Sequence, residues 1–324
     1  MIAIALIGIA AGCASALMFA SMISGVLISL LLIYLAPLPL MVAALGWGPL
    51  SATIGGITAA TVLGAIFGLP FCVVFAITVA LPAWWLGHLV LLGRPVAGGV
   101  SLGNGAEPVA PILEWYPIGC ILLWLSGFAA LNTMAALLAF GTDVAAVTGA
   151  LRESLLLFLG PHDTTVTAEI DQLVNMMVTV APSLGAISVM MMLTFNLWLA
   201  AKITATSGRL HLPWPDLKSA VLPPLTLAAL CAAIAFCFAG GLLAILAQII
   251  TAVLMMAYAL TGFAVLHTLT LALKSRALWL GCTYAIVVLF VWPVVAMVVL
   301  GIADAVFGFR QRYLQGRPPP LPTS

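Results

Sequence analysis

The sequence predicts an all-α fold, a polytopic transmembrane helix bundle of about eight spans, seven to ten at the limits, and three observations carry that expectation. Of 324 residues, 65% are hydrophobic and 6% charged, with a mean hydropathy of +1.28. A soluble domain carries about 25% charged residues. Apolar runs near the length needed to cross a bilayer core, about 20 residues, follow one another along the chain. Inside two of those runs small residues recur every four positions, the spacing that clears one flank of a helix for close approach by another.

Residues 3–34 form the first apolar run and read as one retained helix. No Lys or Arg precedes Arg94, so the basic start of a cleaved signal peptide is missing. Gly8, Gly12, Ala16, Ala20 and Ser24 leave a bare stripe, which either packs inside the bundle or meets a partner subunit. Pro37 and Pro39 interrupt the chain, and Pro49 suits the first turn of the next helix. Along 36–68, Gly48, Ala52, Gly56, Ala60, Gly64 and Gly68 draw a second, nearly straight seam. On this reading Gly56→Leu and Gly64→Leu disrupt the monomer, whereas Gly12→Leu is tolerated if its stripe faces a partner.

A span over 70–92 closes on Trp84, Trp85 and His88, an interfacial belt. The Gly- and Pro-rich stretch 93–115, with Arg94, Glu107 and Glu114, has little reason to fold alone. Another span covers 116–140. Within 141–172, Val144, Val147, Leu151, Leu155 and Phe158 share a helical face that Asp143, Arg152 and Glu153 avoid, so an amphipathic helix is expected in the headgroup layer. Gly160 and Pro161 end it, and Asp163 or Thr164 caps the helix leading into a span at 176–201. The 202–218 loop, with Lys202, Arg209 and Lys218 against Asp216, belongs in the cytoplasm by the positive-inside rule. Spans follow at 220–239 and 278–300. The apolar run 240–273 between them is either one helix or two crossings, and the arginines of the tail favour the broken form with a cytoplasmic C-terminus. Residues 1–310 thus make one integral membrane domain, and 311–324 a disordered Pro-rich tail.

Composition also limits function. Ten Lys and Arg, scattered, give no nucleic-acid surface. Every charged residue falls in a loop or at a span end, so carboxylate relays, voltage sensing and charged pore rings lack their parts. The motifs of zinc proteases and P-loop proteins are absent, the six cysteines lie in apolar runs without CxxC spacing, and the expectation is a non-enzyme with no cofactor and no metal. Uncharged polar residues within apolar runs remain, among them Asn132, Asn175, Asn196, Gln248 and His267, beside a Met patch at Met190, Met191 and Met192. Asn132, Asn196 and Met191 are the candidate ligand contacts, the alternative for Asn196 being an interhelical hydrogen bond and for His267 simple packing. Asp304 and Arg310, six apart, fall on different faces of a continuous helix and read as headgroup anchors. Pairing them requires a bend near Gly308.

Leu38-Pro39-Leu40 followed by Gly46-Trp47-Gly48-Pro49, then Pro182 and Asn196 in one later span, then Gly301, Asp304, Phe309 and Arg310 after the last, resembles the YybS-like membrane proteins, a family of unknown function. Those in turn resemble the S components of energy-coupling-factor vitamin transporters. The resemblance implies an S-component-like N-terminal part. It also implies a binding or transport subunit for a small, largely uncharged or apolar ligand, embedded in the lipid bilayer of a bacterial inner membrane. Energy would come from a transmembrane coupling subunit docked on Gly8, Gly12 and Ala16. The chain is longer than an S component, with spans beyond the six of that fold. A structural or regulatory protein binding other membrane proteins through the small-residue seams is the alternative. A third reading is a lipid-modifying enzyme using His162, Asp163 and Glu169.

Overall fold

The computed structural model describes residues 1–96, 112–159, 168–210, 212–214, 220–290 and 292–315. It is helical almost throughout, and among the described residues seven helical stretches are long and apolar enough to cross a membrane. Large apolar side chains face outward, on those stretches and elsewhere; Leu17, Leu69, Leu225 and Phe238 are each more than 70% exposed. Water would not tolerate so continuous an apolar surface, and lipid requires it. The protein is a multi-pass membrane protein.

The chain divides into two compact units, residues 1–117 with 191–215, and residues 118–190 with 216–324. In the first, α1 (Ile2–Ala20) ends in a 3-10 turn at Ser21–Ser24, and Gly25 divides the expected 3–34 helix before α2 (Leu27–Leu35). α3 (Leu38–Trp47) continues the second span after Pro37. α4 (Pro49–Phe67) and α5 (Leu69–Phe75) follow, then a π-helical turn at Ala76–Ala80 and α6 (Leu81–Val90). Gly48 and Gly68 are not part of a seam. Both are helix caps, with φ near +91° and ψ beyond +160°, a conformation only glycine adopts cheaply.

The tightest crossing in this unit is α1 on α4. A Cβ on Gly8 would lie 2.6 Å from Ser51 O, a Cβ on Gly12 would overlap the Gly55 carbonyl, and one on Gly55 would come 2.6 Å from Gly8 O. The α1 stripe is therefore buried against the chain's own α4, through Gly8, Gly12 and Ala16. It is not a free docking face. The matching face of α4 runs through Ser51 and Gly55, one position away from the expected seam. Ala52, Gly56 and Gly64 turn elsewhere: a Cβ on Gly56 meets Ala80 Cβ at 3.3 Å, and one on Gly64 meets Cys72 Cβ at 3.1 Å.

The α2–α3 break frees backbone carbonyls at membrane depth. Ser15 Oγ donates to Ala36 O at 2.6 Å, and Asn196 Nδ2 donates to Tyr34 O at 2.6 Å. Side chains from neighbouring helices thus satisfy carbonyls at the break between the two helices. The two ends of the 93–115 stretch form regular structure that the sequence does not announce. β1 (Gly93–Val96) pairs antiparallel with β2 (Ile112–Trp115), and Arg94 and Glu114 stand opposite each other with Arg94 Nε donating to Glu114 Oε2 at 2.8 Å.

In the second unit, α7 (Ile118–Leu138) is a full span and α8 (Val144–Leu159) is the expected amphipathic helix, with Val147 fully buried and Asp143 and Glu153 exposed. Arg152 on α8 pairs with Asp171 and donates to Asn175 Oδ1 at 2.6 Å. Gly160, Pro161, Asp163 and Thr164 lie outside the described residues. α9 (Ala168–Thr206) continues through Pro182 and contributes to both units. α10 (Leu225–Phe236) is shorter than the span expected there. α11 (Gly241–Leu269) is a single unbroken helix, so the broken form of 240–273 is wrong. The interruption comes later, at Trp292-Pro293, between α12 (Arg276–Phe290) and α13 (Val294–Phe307). α13 crosses α11 as closely as α1 crosses α4: a Cβ on Gly262 would overlap Met297 O, and one on Gly301 would overlap Tyr258 O. α14 (Phe309–Gln315) extends helix past residue 310, into the stretch expected to be disordered.

Candidate functional site

One groove in the second unit combines size with a continuous lining. α7 supplies Leu123, Trp124, Ser126, Gly127, Ala130, Leu131 and Met134, α10 adds Ala229, and α11 adds Ile250, Val253 and Leu254, around a cavity of about 650 Å³ open on one side. That volume falls within the roughly 300–1,000 Å³ of small-molecule sites. Along α7 the lining from Leu123 to Met134 extends about 17 Å at 1.5 Å per residue. Gly127 and Ala130 keep the α7 wall low, and nothing lies within 4 Å of where a Gly127 Cβ would be.

The lining offers almost no polar chemistry. Ser126, the one hydroxyl-bearing residue there, is buried and donates to Leu122 O at 2.9 Å, with Met190 Sδ at 3.6 Å and Val253 O at 3.4 Å also in reach. Its hydroxyl is committed to protein acceptors across α7, α9 and α11. A molecule lying here would meet hydrocarbon and the Trp124 ring.

The three candidate ligand contacts do not line this groove. Asn132 is buried on α7 with its Oδ1 unpartnered. Asn196 is fully buried, its amide nitrogen committed to Tyr34 O and to Met192 O at 2.8 Å, which is the interhelical bond of the alternative reading. Met191 is 40% exposed, and it is Met190, its neighbour, that is buried. His267 Nδ1 lies 3.0 Å from Phe263 O and its ring packs on Tyr284. His162 and Asp163 lie outside the described residues, as does the Glu169 side chain.

A second groove, of about 220 Å³, opens in the first unit between α4 and the α5–α6 segment, lined by Ala52, Thr53, Gly56, Ile57, Ala60, Ala76, Ala80, Leu81 and Trp84. Ala52, Gly56 and Ala60 of the expected α4 seam are here. Trp84 flanks it, stacked against His88 at 6.1 Å between ring centroids.

The Asp304–Arg310 ion pair reverses a sequence expectation. Gly308, with φ +65°, ends α13 and turns the chain, so residues six apart meet. Arg310 donates from Nε to Asp304 Oδ2 at 2.6 Å, from its backbone N–H to Oδ1 at 2.9 Å, and from its second guanidinium nitrogen to Ala220 O at 3.0 Å. Both side chains are 5% exposed. The pair is a buried brace joining the α13–α14 corner to the stretch of chain before α10, and not a headgroup anchor.

No family model, curated protein or solved structure matches the chain. Sequence reasoning missed the groove because Trp124, Gly127 and Ala130 sit in a uniformly apolar span. Their spacing of three beside an aromatic was the available signal.

Proposed function

We propose that the protein is a non-enzymatic, membrane-embedded binding or transport subunit for a small apolar ligand, working with separate energy-coupling partners in a bacterial inner membrane. The observation that carries this reading is the α7–α10–α11 groove, ligand-sized and apolar along its length. The resemblance to YybS-like proteins and S components supports it from the sequence side. With no committed polar contact, affinity would come from removing apolar surface from competition with lipid, so selectivity would rest on shape.

Gly127→Trp tests it, because open space at that position lets the ring enter the groove without straining the backbone. Native mass spectrometry of the purified protein should show a bound apolar species on the wild type, depleted at least tenfold on the variant at unchanged melting temperature. Equal occupancy on both would reject the reading.

The Gly/Ala groove on α4 favours a second reading, a scaffold that receives a partner's transmembrane helix. Ala60→Leu would then release a co-purifying protein, and Gly127→Trp would not.

A further inference from the structure

At the end of α9 the chain turns back on itself: Gly208 takes φ +66°, and the backbone N–H groups of Arg209 and Leu210 both donate to Thr204 O, at 2.9 and 3.1 Å. This reversal carries Arg209 to the end of α3, where a Cβ on Gly46 would lie 3.8 Å from Arg209 Cβ and the Arg209 guanidinium lies over the Trp47 ring at 5.3 Å from the centroid. On the same helix end the Lys202 ammonium lies over Trp214 at 5.4 Å. Both cations are exposed, and among the described residues neither is paired with a carboxylate. Both sit where a membrane-spanning stretch ends, Leu27–Trp47 and Ile170–Thr206, so the tryptophans occupy the depth at which indole rings settle between hydrocarbon and headgroups.

We infer that Trp47, Arg209, Lys202 and Trp214 form a seat for the phosphate of an anionic phospholipid. Each indole fixes its cation by cation–π attraction, which lowers the ordering cost of binding, and leaves the donors on the cation's edge for a phosphate. The carbonyl ends of α3 and α9 offset the two positive charges only in part, about half a unit each. Net positive charge remains at headgroup depth. A bilayer supplies the complementary anion at that depth and at high local concentration, which singles out a lipid phosphate over one from solution.

The test is thermal melting of the full chain in uncharged detergent, titrated with phosphatidylglycerol, with phosphatidylcholine of the same acyl chains, and with inorganic phosphate. The wild type should reach half-maximal stabilisation at much lower phosphatidylglycerol than phosphatidylcholine, by about fivefold for each cation engaged. Lys202→Gln, at an exposed position, should lose about fivefold of that preference. Lys202→Gln/Arg209→Gln should lose it altogether, and Lys202→Arg should keep it. Undiminished preference in the double variant, or full stabilisation by inorganic phosphate alone, would overturn the assignment.

Discussion

At the scale of single residues, glycine decides where the bundle is tight. A Cβ on Gly12 collides with the Gly55 backbone, which cannot rotate away as a side chain can, whereas one on Gly127 meets nothing within 4 Å. Gly12→Leu should therefore cost about 3 kcal/mol or more, the upper range for overpacking, and Gly127→Leu close to nothing, measured as unfolding in mild detergent. Gly56→Leu falls between them, because Ala80 Cβ at 3.3 Å can yield slightly. This ordering inverts the sequence expectation for Gly12 against Gly56. The reason is local: α4 carries two adjacent stripes of small residues, Ser51-Gly55-Ala59 and Ala52-Gly56-Ala60, and spacing alone cannot tell which one meets α1. Asp304 and Arg310 give a second residue-scale prediction. Arg310→Met alone strands a buried carboxylate and should destabilise by about 3–5 kcal/mol, while Asp304→Leu/Arg310→Met should recover much of that loss.

At the scale of elements, helices were legible wherever apolar runs had clear ends, and α8 was legible because its polar and apolar faces separate cleanly. What escaped were breaks set by glycine: Gly25 splitting the first run, Gly48 and Gly68 capping the helices they were expected to lengthen, and Gly308 folding α14 back so that Arg310 reaches Asp304. A glycine at four-residue spacing serves equally as contact and as cap, and only tertiary packing chooses. The β1–β2 hairpin escaped because its strands are four residues each and separated by a long Gly-rich stretch. Its Arg94–Glu114 pair is exposed, 78% and 52% for the two side chains, so Glu114→Gln should change stability by under about 1 kcal/mol. Val147→Asp should instead detach α8, because Val147 is the fully buried member of its apolar face; faster proteolysis within 144–159 would report it.

At the scale of the molecule, each unit has its own backbone-to-backbone crossing, α1 on α4 and α11 on α13. Close crossings of this kind hold helices together in lipid, where apolar side chains gain little by leaving the bilayer. The second unit combines such a crossing with an open apolar groove, and that contrast underlies the proposed role. The membrane class was readable from composition, whereas the groove was not, since a lipid-facing and a ligand-facing wall use the same residues. Asn132 and Asn196 stand out in the sequence as polar residues in apolar spans; Asn196 instead repairs the α2–α3 break.

The most direct test of that contrast is photolabelling in lipid vesicles with a diazirine-bearing alkyl probe, mapped by mass spectrometry. The account predicts that labelling concentrates on residues 123–134 of α7 and falls several-fold in Gly127→Trp, while lipid-facing α2 and α12 label at the same low level in both proteins. Label spread evenly over α2, α7 and α12, unchanged by the variant, would contradict it.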